Sequence, residues 1–387
     1  MNHRPHRVCV VTGSRSEFGL LEPLMRAIKQ GPGLELQVVA TGMHLAPAFG
    51  DTFREIEEQG YAIDEKVPML LAGDSGLDTA LSVGVGVMGL ASALNRLAPD
   101  LVVCMGDRFE LLALGAVCTT LSLPMGHISG GEVTEGAMDD GIRHAMTKLS
   151  HLHFVANTDF AARLGRMGEE DWRVLVCGEP GLDYFVNAKL LGRAELEAFL
   201  GLDLGKPTAL VTFHPVTREL SGLDHQMTEL VAALEGADLQ YVITFPNADP
   251  GHDLVRRRWV ELAARRPERV RFFQSLGRLR YASLLAQASL MIGNSSSGLV
   301  EAPSFNLPVV NIGTRQQGRP QAANVFQTEH DRGAILAGIQ RALAYDLPAV
   351  VNPFGDGHAC PAIKDFILRA LTERTREELL RKRFVDR

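Results

Sequence analysis

Residues 101–132 read LVVCMGDRFELLALGAVCTTLSLPMGHISGGE, and this stretch decides the fold. Leu101–Met105 and Met125–Ile128 are short, continuous apolar runs, and residues 109–121 between them have the composition of a helix. Uninterrupted apolar strands that alternate with helices predict a parallel sheet covered by helices on both faces.

The same alternation continues on both sides of this stretch. In the first half it predicts further strands at 8–11, 36–40, 153–156 and 174–177, and helices at 18–29, 48–59, 77–97, 137–149 and 159–167. After a polar stretch near 186–206 it predicts strands at 209–213, 239–245, 270–273, 290–292 and 308–312, and the chain ends in helices at 361–372 and 375–383.

We therefore predict an α/β protein of two Rossmann-like, doubly wound domains, with ligand bound in a cleft between them. The predicted domains are residues 1–185 and 186–360. The C-terminal segment 361–387 is expected to pack back on the first domain.

Composition narrows the class of protein. The chain has 387 residues, of which 46% are apolar and 22% charged, as expected for a folded protein of two domains. The net charge of −7 argues against nucleic-acid binding. No signal peptide, uninterrupted apolar span or CxxC pair occurs, so we predict a cytoplasmic protein without a membrane partner.

Gly84, Gly86 and Gly89 form a GxGxxG pattern that resembles a dinucleotide-binding fingerprint. That fingerprint requires a strand directly before its first glycine, and the residues before Gly84 instead indicate a loop and the start of a helix. We interpret the pattern as part of a helix of small residues that packs closely on a neighbour.

Two segments have the composition of phosphate-binding turns. Residues 11–19 (VTGSRSEFG) follow the first strand, and Arg15 there supplies a planar cation suited to phosphate. Residues 290–302 (LMIGNSSSGLVEA) end a strand in hydroxyl residues before a helix, which suits a diphosphate. Ser295 and Ser296 are the candidate phosphate ligands, and Glu301 is placed to bind a ribose diol. Arg315 follows the next strand.

A group of acidic residues is expected at one edge of the first sheet. Asp107 follows one predicted strand, and Glu132, Asp139 and Asp140 follow the next. Clustered carboxylates raise one another's proton affinity, which is how an acid and a base coexist at neutral pH. The simpler interpretations are that Asp107 caps a helix, that Asp139 forms an i,i+4 pair with Arg143, and that Asp140 forms one with His144. His214 ends a strand of the second half, and no spacing matches a standard zinc site.

Together these residues resemble the hydrolysing UDP-N-acetylglucosamine 2-epimerases, the enzymes that open sialic acid synthesis. The matching segments span nearly the whole chain in the family's order. They are GSR-x-E-x-G (13–19), GDRFE (106–110), GGE-V-T-E-G-x-x-DD-x-IRH-A-x-TKLSHLH (130–153), HPVT (214–217), FPN-x-D-x-G (245–251), GNSSSG-x-x-E (293–301) and GTRQ-x-GR (313–319).

The resemblance implies a glycosyltransferase-B-like fold and a reaction that needs neither a nicotinamide cofactor nor an obligatory metal. The implied reaction removes the C2 proton with loss of UDP and then hydrates the glycal, giving N-acetylmannosamine. Asp107, Glu132, Asp139, Asp140 and His214 would transfer protons. Arg15, Ser295, Ser296, Glu301 and Arg315 would bind the nucleotide. A homodimer or homotetramer is expected.

One position departs from the family pattern. Eukaryotic-type members have a glutamate, usually assigned to catalysis, directly after the His-Ile pair, and this chain has Ser129. A serine hydroxyl has the wrong proton affinity for a general base at neutral pH. Either Glu132 or the Asp139/Asp140 pair serves as the general base, or the substrate differs.

Four alternatives to UDP-N-acetylglucosamine hydrolysis therefore remain open. In the first, the substrate is UDP- or GDP-linked N,N′-diacetylbacillosamine, on the legionaminic acid route. In the second, the chain is a retaining glycosyltransferase with the same architecture. The last two are a catalytically inactive sugar-nucleotide sensor and a non-hydrolysing epimerase, and the GGE and HPVT segments argue against the latter.

Overall fold

Two parallel β-sheets, each covered by helices, form the protein in a computed structural model that describes residues 4–73, 75–133, 138–216, 219–245, 251–346 and 349–386. Parts of three motifs, at 134–136, 217 and 246–250, lie outside the described residues. Unit 1 comprises the chain up to Tyr184 and from Phe354 onward, and unit 2 comprises Phe185–Pro353.

Unit 1 contains a seven-stranded sheet in the order β3-β2-β1-β4-β5-β6-β7. All neighbouring strands in it are parallel, as the apolar runs predicted. The strands are β1 (His6–Thr12), β2 (Leu34–Thr41), β3 (Glu65–Val67), β4 (Leu101–Met105), β5 (Met125–Ile128), β6 (Leu152–Val155) and β7 (Val174–Val176).

The helices of unit 1 bury both faces of this sheet. Val8 and Val10 of β1 pack in one core with α1 and α14, whereas Cys9 and Val11 pack in a second core with α3 and α4. The described helices, of which α7 continues into unit 2, are α1 (Arg15–Gln30), α2 (Phe53–Glu58), α3 (Gly76–Leu97), α4 (Glu110–Thr120), α5 (Met138–Leu149), α6 (Thr158–Arg166), α7 (Leu182–Asn187), α14 (Ala359–Glu373) and α15 (Arg376–Leu380).

Unit 2 contains a six-stranded parallel sheet in the order β10-β9-β8-β11-β12-β13, the order of a dinucleotide-binding doubly wound domain. Its strands are β8 (Thr208–Thr212), β9 (Gln240–Thr244), β10 (Val270–Phe273), β11 (Leu290–Gly293), β12 (Val309–Ile312) and β13 (Val325–Thr328). Its described helices are α8 (Arg193–Leu200), α9 (Leu223–Gly236), α10 (His252–Arg265), α11 (Gly277–Leu285), α12 (Ser297–Val300) and α13 (Arg332–Ala344).

The GxGxxG pattern lies within α3, so its interpretation as a helix of small residues is confirmed. A Cβ atom on Gly86 would lie 2.7 Å from Met69, and one on Gly89 would lie 2.6 Å from Val67. These glycines therefore allow α3 to approach the chain around β3.

By length and composition alone, α3 is also apolar enough to span a membrane, although its sequence has no uninterrupted apolar run. Its glycines, alanines and leucines raise the mean hydropathy to 1.6 over the most apolar window. Since α3 packs on α4 and on the second core of unit 1, it is an integral part of that unit.

Candidate active site

An acidic cluster lies at the carboxyl edge of the sheet in unit 1. Asp107 follows β4, and α5 begins at Met138, so that Asp139 and Asp140 occupy its first turn. The guanidinium of the buried Arg143 donates a hydrogen bond to Asp107 and lies 3.6 Å from the Asp140 carboxylate. Arg143 therefore ties the strand end to the helix start and brings two predicted site residues together.

The simpler interpretations of this cluster are only partly correct. Arg143 pairs with Asp107 and Asp140 rather than with Asp139, because the i,i+3 position and the strand end lie nearer to its guanidinium. The predicted pairing of Asp140 with His144 is present at 3.6 Å. Asp107 does not cap α4, whose N-terminal flanking residue is Phe109.

The half-buried Asp139 of this cluster has a raised pKa. Burial raises the pKa of Asp139, and the negative charge of Asp107 raises it further, while Arg143 and Arg108 oppose the shift. This is the mutual effect that the clustered carboxylates predicted. The cluster thus offers a carboxyl that retains a proton more readily beside one paired with a cation.

Glu132 is half-buried directly after the Gly130-Gly131 pair. Gly131 is the member of this pair whose conformation requires a glycine. Its φ is +78°, and a Cβ there would lie 2.6 Å from the Phe160 carbonyl oxygen. Helix α6 therefore occupies that side, and Gly131 is required by packing inside the protein.

Sequence reasoning assigned no role to a second group of charged residues beside the cluster. Glu110 is 3% exposed and accepts a 2.8 Å hydrogen bond from Arg108, whose positive charge also acts on Asp139. Glu17 Oε2 accepts a 2.9 Å hydrogen bond from the Gly13 N–H, and burial raises the pKa of Glu17 to about 8. The capping pattern Ser14-x-x-Glu17 was the signal that could have identified Glu17.

Arg15, the predicted phosphate ligand of this unit, forms an exposed ion pair within unit 1. Its Nε lies 2.8 Å from the carboxylate of Glu55 in α2, and its side chain is 57% exposed. An exposed pair of this kind contributes little to stability and is readily exchanged for another anion. Binding of phosphate by Arg15 stays a prediction.

Ser129, the departure from the family pattern, lies beside a carboxylate that the sequence did not identify. Its backbone has φ +65°, and its Oγ lies 3.4 Å from Oε1 of the buried Glu179, which follows β7. No spacing in the sequence links positions 129 and 179, because α5, β6, α6 and β7 separate them. The position without a glutamate thus has a glutamate next to it in space.

In unit 2, a pair of reciprocal hydrogen bonds joins the ends of β8 and β11. The His214 N–H donates to Asn294 Oδ1 at 2.7 Å, and Asn294 Nδ2 donates to the His214 carbonyl at 2.8 Å. Gly293 makes this approach feasible, because at its φ of +138° a Cβ would lie 1.9 Å from the Thr212 carbonyl oxygen. The His-Pro and Gly-Asn-Ser motifs therefore adjoin.

His214 is held neutral in this position. Burial lowers the pKa of His214 to about 3, and the positive charge of Arg315 lowers it further. Arg315 follows β12 and donates to the Asn294 carbonyl at 3.1 Å, which places a second predicted site residue on the same sheet edge. A neutral imidazole there can act as a hydrogen-bond donor or acceptor rather than as a cation.

Ser295 and Ser296 form the turn between β11 and α12. The Ser295 hydroxyl accepts a 3.3 Å hydrogen bond from the Ser297 N–H, and Tyr281 donates to the Ser297 hydroxyl at 2.7 Å. The helix that follows is shorter than expected: α12 ends at Val300, since Pro303 lies in the next turn, a 3₁₀ segment.

Glu301 directly follows this short helix and has a shielded carboxylate oxygen. Its Oε2 is buried and has no hydrogen-bond partner among the described residues. Burial raises the pKa of Glu301, opposed by the Ser297 hydroxyl and by the charges of Arg278 and Arg319. An unpartnered acceptor in this position suits a hydroxyl donor such as a ribose diol.

Within the described parts of the chain, no group of three or more His, Cys, Asp or Glu side chains is placed to hold a metal ion. Asp107 and Glu110 are paired with arginines. The chemistry that these groups support is proton transfer.

Comparison with known proteins agrees with this geometry. The sequence profile of the UDP-N-acetylglucosamine 2-epimerase family matches residues 26–368. The GDP/UDP-N,N′-diacetylbacillosamine 2-epimerase (hydrolyzing) of Campylobacter jejuni is 37% identical over 324 residues, 84% of each chain. The corresponding UDP-N,N′-diacetylbacillosamine enzyme of Legionella pneumophila is 35% identical over 351 residues, 91% of this chain and 92% of that one.

The fold is also that of a solved structure. The UDP-GlcNAc 2-epimerase of Neisseria meningitidis bound to UDP-GlcNAc superposes with a TM-score of 0.79 at 18% identity, covering 94% of this chain and 100% of the other. The prediction of a glycosyltransferase-B-like fold of two α/β domains is confirmed. With a profile match over most of its length and relatives above 30% identity, the chain belongs to the UDP-N-acetylglucosamine 2-epimerase family, among its hydrolysing members.

Proposed function

We propose that this hydrolysing 2-epimerase acts on UDP-linked N,N′-diacetylbacillosamine and releases UDP and the free C2-epimeric sugar. The sequence alone placed UDP-N-acetylglucosamine first and the diacetamido sugar second. The order changes because the relatives at 37% and 35% identity are named for the diacetamido sugar. The family description and the solved relative, which are named for UDP-N-acetylglucosamine, keep that sugar as the second candidate.

The observation that carries the proposed reaction is the acidic cluster around Arg143. A base must take the C2 proton while the bond between C1 and the UDP oxygen breaks, which leaves a glycal and UDP. An acid must then return a proton to C2 on the opposite face while water attacks C1 and gives its second proton to a base. Asp107, held by Arg143, and Asp139, whose pKa is raised by burial, are candidates for these two proton transfers.

Glu132 and Asp140 are the other carboxyl groups that the sequence predicted for the site in unit 1. Glu179, next to Ser129, is one that the sequence did not identify. Glu132 is a third candidate, with Asp107 and Asp139, for the two proton transfers at C2. The neutral His214 of unit 2 is assigned to a hydrogen bond with the departing nucleotide or its sugar, because a group with a pKa of about 3 is not a cation at neutral pH.

UDP is assigned to unit 2. The turn after β11 would supply the hydroxyl donors of Ser295 and Ser296 for the diphosphate. Arg315, which donates to the Asn294 carbonyl in the same turn, would supply a guanidinium. Glu301 would accept hydrogen bonds from the ribose diol through its unpartnered oxygen. Arg15 of unit 1 is assigned to the diphosphate as well, in exchange for its exposed pair with Glu55.

The test is a substrate panel with product identification. Purified protein is incubated separately with UDP-N,N′-diacetylbacillosamine, its GDP counterpart and UDP-N-acetylglucosamine, and nucleotide release and the configuration of the free sugar are measured. We expect the highest kcat/KM for the UDP-linked diacetamido sugar and a product inverted at C2. Retention of the sugar–UDP bond, or turnover only with an added acceptor sugar, would overturn the proposal.

A further inference from the structure

A cavity of about 590 Å³ lies in unit 1 at the carboxyl ends of β2, β3 and β4. Its walls are the segments that follow these three strands (42–49, 68–73 and 108–109) and the first turns of α3. The volume is within the range of about 300–1,000 Å³ that is common for small-molecule sites. We call it the β2–β4 cavity.

The walls of the β2–β4 cavity are mainly apolar. The side chains that make them so are Met43, Leu45, Phe49, Met69, Leu70, Leu71 and Phe109. Polar side chains of the wall have partners within it: the Ser82 hydroxyl accepts a 3.0 Å hydrogen bond from the Leu71 N–H, and Thr79 donates to the Ser75 carbonyl at 3.2 Å. Asp78 accepts from the Ser75 N–H in the cap of α3.

The cavity adjoins the acidic cluster through Arg108. This residue lines the cavity, directly follows Asp107, and donates from Nη2 to Glu110 at 2.8 Å. The same Nη2 lies 3.4 Å from the sulfur of Met43 on the cavity wall. A sugar ring held at Asp107 thus has an apolar space beside it, with one guanidinium at the boundary.

The two candidate sugars differ in the substituents that such a space would meet. N,N′-diacetylbacillosamine has a methyl group at C6 and an acetamido group at C4, where N-acetylglucosamine has a hydroxymethyl and a hydroxyl group. An apolar wall favours methyl groups and leaves a hydroxyl without a hydrogen-bond partner. We propose that the β2–β4 cavity receives the C4 acetamido and C6 methyl groups of the sugar and so selects the diacetamido substrate.

This inference rests on the proposed function and names the surface that determines its sugar specificity. The Arg108 guanidinium is then the donor for the carbonyl of the C4 acetamido group. Leu71 and Phe49, which are 42% and 46% exposed, are the wall residues that a substitution can change with the least effect on folding. Selection by one apolar wall is worth about 10- to 100-fold in kcat/KM.

The kinetic test compares Leu71→Ser and Phe49→Ser with the wild type on both UDP-sugars. We expect each variant to lose about 10-fold in kcat/KM for the diacetamido sugar while kcat/KM for UDP-N-acetylglucosamine stays within about 2-fold. Leu343→Ser in α13 is the matched control, since Leu343 is 45% exposed and lies outside the cavity. Equal losses on both sugars, or no loss on either, would overturn the inference.

A binding measurement separates this inference from the proposed function. Saturation-transfer NMR in a Glu132→Gln background, which is expected to keep the ligand intact, reports which ligand protons contact protein methyl groups. We expect the strongest transfer to the C6 methyl and C4 acetyl protons, and its selective loss on adding Leu71→Ser. Absence of binding, or transfer only to the uridine, overturns the cavity assignment, whereas failure of the wild type to release UDP overturns the proposed function.

Discussion

Asp107 is the residue on which the proposed chemistry depends most directly, because it is the carboxylate that Arg143 holds at the end of β4. Asp107→Asn keeps the size and a hydrogen-bond acceptor but removes the ionised oxygen. We expect kcat to fall by about 100-fold or more, since a positioned acid or base contributes about that factor, with the Kd for UDP within about 2-fold.

Asp365→Asn is the matched control, because Asp365 lies on the exposed face of α14 beside Lys364. It should leave kcat unchanged. Glu132→Gln is expected to behave like Asp107→Asn, and Ser295→Ala should weaken UDP binding instead. Normal turnover by both carboxamide variants would remove the acidic cluster from the mechanism.

Glu17 should make the folding stability of unit 1 depend on pH. Its pKa is raised to about 8 in the folded protein by burial and is near 4.5 when exposed, so the folded state binds the extra proton between these values. The contribution of this proton to the free energy of unfolding is therefore fully present below about pH 4.5 and is lost as the pH rises through about 8.

Urea unfolding at pH 5 and pH 8 measures this effect. Relative to Glu17→Gln, the wild type should lose stability on going from pH 5 to pH 8, by at most about 1.4 kcal/mol for each pH unit. Glu55→Gln, which changes an exposed carboxylate, should not change the pH dependence. Parallel pH profiles for wild type and Glu17→Gln would show that Glu17 is ionised throughout this range.

At this scale the sequence predicted Asp107, Asp139, Asp140 and His214 as candidate site residues because each follows an apolar strand in a recognisable motif. The structure adds the distances that make Arg143 the organising cation. Glu179 was missed because its relation to Ser129 depends on β5 and β7 flanking β6 in the sheet, and strand order cannot be derived from local sequence.

At the scale of elements, Arg173 attaches the C-terminal helix α15 to the rest of unit 1. It is fully buried, donates to the carbonyls of Leu379 and Arg381 at 2.8 and 3.0 Å, and pairs with Glu170 at 2.6 Å. These carbonyls end α15, where a helix has no donors of its own. Arg173 therefore takes the place of a helix cap.

Arg173→Met should destabilise the protein by about 3 kcal/mol, because buried carbonyls and the Glu170 carboxylate lose a charged donor. Arg381→Met is the control: its side chain is 70% exposed in an i,i+4 pair, which is worth about 0.5 kcal/mol. Chemical unfolding of both variants measures the difference. Equal stability of the two would mean that water replaces the buried guanidinium without loss.

The elements that the sequence predicted well are the long amphipathic helices and the buried central strands. β3 and β13 were missed because they are short edge strands, and β3 (Glu-Lys-Val) carries two charged residues. The edge position leaves one side of such a strand without a partner, so its sequence needs no apolar run. The helix predicted after the Gly-Asn-Ser turn is only the single turn α12, because Pro303 follows it.

At the scale of the whole molecule, α3 carries an apolar face that unit 1 does not cover. Leu77, Leu81 and Met88 recur on one side of the helix and are 69%, 50% and 68% exposed. Exposed apolar patches of this kind are typical of contacts between protein chains. The predicted homodimer or homotetramer is expected to form through this face.

Leu81→Glu with Met88→Glu should lower the molar mass measured by light scattering, because two buried charges at an interface oppose association. Leu343→Glu, on the exposed side of α13, should leave the mass unchanged. An unchanged mass in the double variant would place the interface elsewhere.

The central claim is that carboxyl groups of unit 1 exchange the proton at C2 of a UDP-linked sugar. Turnover of UDP-N,N′-diacetylbacillosamine in deuterium oxide, followed by NMR of the released sugar, tests it directly. The account predicts free UDP and a C2-inverted sugar with one deuterium at C2. A released sugar with its original hydrogen and configuration at C2 would contradict it.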